Sequence, residues 1–126
     1  AGLQRIVELV GPIPYSQVVR EYRRASVHVN LCPTGGMDKS VLEGMACGVP
    51  TLVRNRSFTR LSRTATGLQM TRGDDPLLLS KQLHNVISIS EDERGHLGSD
   101  LRRAVEREHG LHQFVLRLVE KLREAV

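Results

Sequence analysis

The chain has 126 residues, 40% of them hydrophobic and 25% charged, with a formal net charge of +4 from 18 Lys and Arg against 14 Asp and Glu. That length is one domain's worth, and that balance excludes a disordered chain. No run reaches the roughly 18 apolar residues of a membrane span, and the opening AGLQRIVELVGPIP lacks the basic head and apolar run of a secretory leader, so a cytoplasmic protein is expected.

Aromatic residues are 3% of the chain and Trp is absent, so the core is built from Leu, Val, Ile, Met and Ala. Such a core suits helices layered on a sheet. In chain order, LQRIVELVGPI predicts a strand broken by GPIP. SQVVREYRRA predicts a helix with Val18, Val19 and Tyr22 on one face and Arg20, Arg23 and Arg24 mostly on the other. VHVNL is a short strand ending at Pro33, and the Gly35-Gly36 loop comes after it. DKSVLEGMACG predicts a helix whose core face carries Val41, Leu42, Met45 and Ala46, with Gly48 as its left-handed cap and Pro50 just beyond. TLV is a further strand, which makes the order βαβαβ and predicts a parallel sheet with helices on its faces.

Residues 54–67 read as a polar, irregular connection and LQM, at 68–70, as a final strand. The remainder is helical. Asp75-Pro76 is an N-cap followed by proline at the first helical position. Ser90 and Glu93 make a capping box opening a helix to about His109, with Gly110 at its end. LHQFVLRLVEKLREAV keeps helical spacing to the terminus. Cys32 and Cys47 lack metal-site spacing and read as buried free thiols.

The segment with chemistry in it is LCPTGGMDKSVLEGMACGVPTLV, residues 31–53. A loop between the carboxyl end of a parallel strand and a helix N-terminus is where α/β proteins bind ligands. The first helix amides have no intrahelical acceptor and favour an anion, and glycine lets a phosphate or sugar approach the backbone. GGMDKS matches neither the P-loop nor the dinucleotide fingerprint. Glu43 has two readings. Ser40 and Glu43 fit a capping box, which makes Glu43 a cap. A helix starting near Asp38 instead puts Glu43 in its second turn, where a carboxylate can accept ribose hydroxyls.

VLEGMACGVPTLV resembles the signature of the retaining sugar-nucleotide glycosyltransferases of the GT-B fold (group 1, family 4 type), a Glu, seven residues, then Glu-Ala-Met-Ala-x-Gly-x-Pro and a strand. LVGPIPYSQVVREYRRASVHVNLCPT is similar to the family's Gly-x-hydrophobic-Pro, helix, Ala-Asp-Val strand and Pro-Ser turn. TGLQMTRGDDPLLLSKQLHNVI and RRAVEREHGLHQFVLRLVEKL resemble its Gly-Leu strand, Gly-Asp turn and closing helices. The resemblance implies that residues 1–126 are a donor-binding domain, a three-layer αβα Rossmann-like unit with a parallel sheet. It also implies that the first strands, a basic diphosphate clamp and a second Rossmann-like half lie upstream.

The implied activity is transfer of a sugar from a nucleoside diphosphate sugar to an acceptor hydroxyl with retention, with no turnover from this fragment alone. The donor is the substrate and no other cofactor is implied. By resemblance Glu43 accepts the ribose hydroxyls, Gly36, Met37, Asp38 and the adjacent Lys39 lie along the donor's sugar and phosphates, and Thr34 is the small hydroxyl residue of the Pro-Ser turn. One departure stands out, because the first signature carboxylate would fall at Gly35. Asp38 is its candidate substitute, and Asp38-Lys39 resembles a variant signature. The acceptor is a glycan or a lipid, and a peripheral membrane contact is a candidate.

Residues 45–72 contain no Asp or Glu but five arginines, Arg54, Arg56, Arg60, Arg63 and Arg72. One of them beside the strand end could pair with a diphosphate; the plain alternative is a solvated loop. No nucleic-acid partner is expected, since no nucleic-acid motif occurs and there are few aromatics to stack bases. No metal site is expected either: His109 and His112 are separated by the helix-breaking Gly110. His28 reads as a satisfied core or edge histidine. The alternatives to a transferase are a degenerate donor domain kept for interaction and a basic nucleic-acid-binding α/β domain.

Overall fold

A computed structural model describes residues 2–33, 35–62 and 75–125. Helices α1 (Tyr15–Arg24), α2 (Lys39–Ala46), α3 (Thr59–Ser62), α4 (Pro76–Ile87), α5 (Glu91–His109) and α6 (Leu111–Glu124) surround strands β1 (His28–Asn30) and β2 (Thr51–Val53). The strands are parallel, in the register His28↔Thr51, Val29↔Leu52 and Asn30↔Val53. The chain is therefore mainly helical with a two-stranded parallel sheet among the described residues. All three residues of β2 are fully buried, so both faces of that strand are covered.

The core lies between α2, β2 and α5. Val41 and Met45 from α2, Leu52 and Val53 from β2, and Leu101, Ala104 and Val105 from α5 meet there, with Leu42 and Ala46 packed at its margin. Gly48, in the left-handed region at φ 78°, closes α2 as its spacing predicts. Its backbone lies directly on Gly98 of α5: a Cβ at Gly98 would collide with the Gly48 carbonyl oxygen. The later helices start where their caps predict. The Asp75 carboxylate accepts from the amides of Leu77 at 2.9 Å and Leu78 at 3.3 Å. Ser90 and Glu93 form the reciprocal capping box. Gly110 takes extended angles between α5 and α6, so His109 and His112 belong to different helices.

Four expectations need correction. The first segment does not form a strand: Leu3–Arg5 is a 3-10 turn, and residues 7–12 are irregular and exposed, Leu9 to 94%. A strand needs a neighbour to satisfy its backbone, and the two described strands pair with each other. The described part of the connection after β2, residues 54–62, is not irregular; residues 63–67 lie outside the described residues. Arg56–Phe58 is a 3-10 turn running into α3, and it drives Phe58 and Leu61 into the core. The cysteines are not the buried thiols expected: Cys32 is exposed and Cys47 half-buried. The strand expected at 68–70 lies outside the described residues.

The fourth correction is His28. Its backbone N–H donates to the Pro50 carbonyl at 2.8 Å and its ring meets Tyr22 edge-on, 5.4 Å between centroids. Its Nδ1, however, is buried without a partner among the described residues. The cause is Gly44, whose missing side chain leaves the space that the ring fills; a Cβ there would sit 2.8 Å from Nδ1. Burial holds the imidazole below its ordinary pKa.

Gly98→Ala should lower unfolding free energy by about 1–3 kcal/mol in a urea titration. Gly95→Ala, on the same helix but facing open space, should raise it by about 0.5–1 kcal/mol. For His28 the depressed folded-state pKa makes the unfolded chain the stronger proton binder. Its contribution to stability is whole above the unfolded value of about 6.5 and is lost as pH falls through it. The melting temperature should drop between about pH 7.5 and pH 5, and His28→Gln should shrink that drop.

Candidate functional site

The loop after β1 is built by two asparagines at the carboxyl ends of the strands. Asn30, the last residue of β1, donates from Nδ2 to the Asp38 carboxylate at 3.2 Å and accepts the Cys32 amide on Oδ1 at 3.1 Å. Asn55, two residues past β2 and 2% exposed, donates from Nδ2 to the Gly36 carbonyl at 3.0 Å. Its Oδ1 accepts the Ser57 amide at 2.9 Å, an Asx turn that starts the 3-10 turn. The Ser57 hydroxyl reaches the Gly35 carbonyl at 3.4 Å. Both glycine carbonyls are thus bound to the segment after β2, so the loop spans the ends of both strands.

Gly35 has φ 111° and is exposed. A side chain there would be strained whatever the surrounding space, so this backbone disfavours a carboxylate at position 35. Asp38 is the N-cap residue of α2, yet its side chain makes no cap bond; it is turned to Asn30 instead. The amides of Lys39 and Ser40 have no intrahelical acceptor, which leaves the positive end of α2 open beside a fixed carboxylate. The Ser40–Glu43 capping box does not form, because the helix begins one residue before Ser40.

Glu43 lies elsewhere on the same helix. Five residues separate it from Asp38, which is about 7.5 Å along the axis and about 140° around it. It is half-buried in a cleft of about 170 Å³ between α1 and α2, lined by Tyr15, Val18, Val19, Tyr22, Ala46 and Cys47. The Tyr22 hydroxyl donates to the Ser40 carbonyl at 3.0 Å. Burial, and then the negative charge of Glu43, push the Tyr22 phenol above its ordinary pKa. The expected apolar face of α1, Val18, Val19 and Tyr22, is therefore a cleft wall, and α1 contributes no fully buried residue.

Of the residues singled out in the sequence, Gly35, Gly36, Met37, Asp38 and Lys39 gather at the strand ends, Glu43 points to the α1 side, and Thr34 lies outside the described residues. Arg54 comes directly after β2, and its amide donates to the Asn30 carbonyl at 3.0 Å. Arg60 pairs with Glu108 of α5 at 3.2 Å and Arg56 is exposed; Arg63 and Arg72 lie outside the described residues. Asn30, Asn55 and Ser57 escaped the reading of the sequence, and Tyr22 was read only as part of the apolar face of α1. The signal for two of them was there: Asn-x-Ser directly past a strand end is an Asx-turn pattern.

Chemically, the arrangement offers donors for an anion at the start of α2, a carboxylate for hydroxyl groups at Asp38, and a second carboxylate in an apolar cleft at Glu43. No protein-family model, curated protein or solved structure matches the chain. Asn55→Ala should free the Gly36 carbonyl and the Ser57 amide together, lowering stability by about 1–3 kcal/mol in chemical denaturation. Amide hydrogen exchange should rise at residues 35–38 and 57 while α5 stays protected.

Proposed function

We propose that this chain is the donor-binding part of a retaining GT-B glycosyltransferase, a three-layer α/β domain that holds a nucleoside diphosphate sugar. The carrying observation is the pairing of a glycine loop, tied down at the ends of two parallel strands, with two carboxylates on opposite sides of the helix it opens. The burial of β2 on both faces supports the layered fold.

Each part has a task in that reading. The first amides of α2, with Arg54 beside them, attract the diphosphate and stabilise its charge as it leaves. Asp38, at the loop mouth, accepts hydroxyls of the transferred sugar, the task for which position 35 has no side chain. Glu43 accepts the ribose hydroxyls. Its cleft is smaller than the roughly 300 Å³ at which pockets enclose a whole ligand, so it suits one ring of an extended molecule. Rigid holding through two hydroxyl-bearing rings brings the reacting carbon into line with an acceptor.

A second reading, a donor domain that binds without transferring, is favoured by the glycine at position 35. Release of nucleoside diphosphate from a panel of sugar nucleotides in the presence of glycan and lipid acceptors separates the two. The shared premise is tested by calorimetry with UDP and GDP. Glu43→Ala should weaken the bound nucleotide by roughly tenfold to a hundredfold. Asp38→Ala should weaken the sugar nucleotide and leave the free diphosphate nearly unchanged. Equal affinity in the parent protein and Glu43→Ala, or no nucleotide binding by the parent, sinks the reading.

A further inference from the structure

Helix α1 walls one side of the cleft, yet none of its residues is fully buried. Tyr22 ties it to the body. Its hydroxyl donates to the Ser40 carbonyl at 3.0 Å, and its ring stands edge-on to the His28 imidazole, 5.4 Å between centroids. Tyr15, Val18 and Val19, the other residues that α1 lends to the cleft, are held in place through that joint.

The joint rests on an imidazole with no place for a second proton. An imidazolium carries N–H on both ring nitrogens, and a buried N–H needs an acceptor. Nδ1 of His28 is buried in the notch over Gly44 without a partner among the described residues. The ionisable groups around the notch are Glu43 and Cys47 from α2 and Tyr22 from α1. Glu43 acts on the Tyr22 phenol, and neither it nor the thiol hydrogen-bonds Nδ1. From β2 the neighbour is the Thr51 hydroxyl, which donates to the Val49 carbonyl at 2.9 Å. Burial, with no neighbouring charge to offset it, is what lowers the imidazole pKa.

We propose that protonation of His28 releases α1, which makes the cleft at Glu43 a pH-sensitive device, walled near neutral pH and open in acid. The charged ring reaches water by leaving the notch, and the Tyr22 ring packed on it loses its seat. The docked state binds the proton more weakly than the released one. Docking is therefore complete above the ordinary histidine value of about 6.5 and weakens as pH falls through it, by up to about tenfold per pH unit. The device does not depend on what the cleft holds; on the nucleotide reading, it makes donor binding acid-labile.

The test is hydrogen exchange of the whole chain without nucleotide, corrected for intrinsic rates. The amides of α1 should exchange well ahead of those of α5, and their protection should fall roughly tenfold between about pH 7.5 and about pH 5.5. His28→Gln should abolish that fall. Both tyrosines lie in α1 and Trp is absent, so tyrosine fluorescence anisotropy should report the same release. Protection of α1 that is equal at the two pH values, or no weaker than that of α5, overturns the proposal, as does a pH response retained by His28→Gln. Should that variant fail to fold, the parent decides. A fall that levels off above about pH 7 supports the imidazole, and one that continues at the same slope belongs to another group and overturns it. Since no nucleotide enters, failure here leaves the nucleotide reading as it stands.

Discussion

The backbone of Gly98 lies on the backbone of Gly48, and the rest of the molecule depends on that approach. Without side chains between them, α5 comes close enough to α2 for Leu101, Ala104 and Val105 to reach Val41 and Met45. That contact covers α2 on one side and presses it against β2. It also leaves the opposite side of α2, with Glu43 and Cys47, to the loosely docked α1. The division of α2 into a packed face and a cleft face comes from one steric condition on α5.

The same helix carries the chemistry because its amino end is held by side chains that do not belong to it. Asn30 and Asn55 are polar residues at the ends of apolar strands; Asn55 is buried, which makes its hydrogen bonds obligatory, and Asn30 is half-buried. The groups that satisfy them are the Asp38 carboxylate and the Gly36 carbonyl. The loop is thereby fixed by the sheet, as a preorganised binding loop requires. Asp38 is kept from capping its own helix, and the uncapped amides keep their field for something else. A carboxylate beside that positive end is a mixed environment, suited to a ligand bearing both phosphate and hydroxyl groups.

Two apolar surfaces, the cleft wall of α1 and the exposed arc of α6 with Leu111, Phe114 and Leu122, differ in what surrounds them. The α1 wall faces a carboxylate and a phenol across a narrow gap, which suits one ring of a small molecule. The α6 arc is open, on a helix with no buried residue.

Local chemistry by itself determined where most elements begin and end. Asp75, Ser90, Glu93, Gly48 and Gly110 act within a turn of their own position, so the caps of α2, α4 and α5 were legible in the chain. So was the parallel pairing of VHVNL with TLV, because a helix between two short apolar runs forces it. Only the tertiary structure decided whether LQRIVELV became a strand, since strand formation needs a neighbour that no local pattern supplies. It also decided the fates of Phe58 and Leu61, whose polar surroundings in the sequence hid the core they reach. For the site, residues 35–39 were legible as a glycine loop before a helix. The choice between Glu43 as cap and Glu43 as cleft carboxylate was not, because the two readings differ by only two residues in where α2 starts, Ser40 or Asp38. Asn30 set that start by drawing Asp38 to the strand, a contact across eight residues that spacing along the chain does not encode.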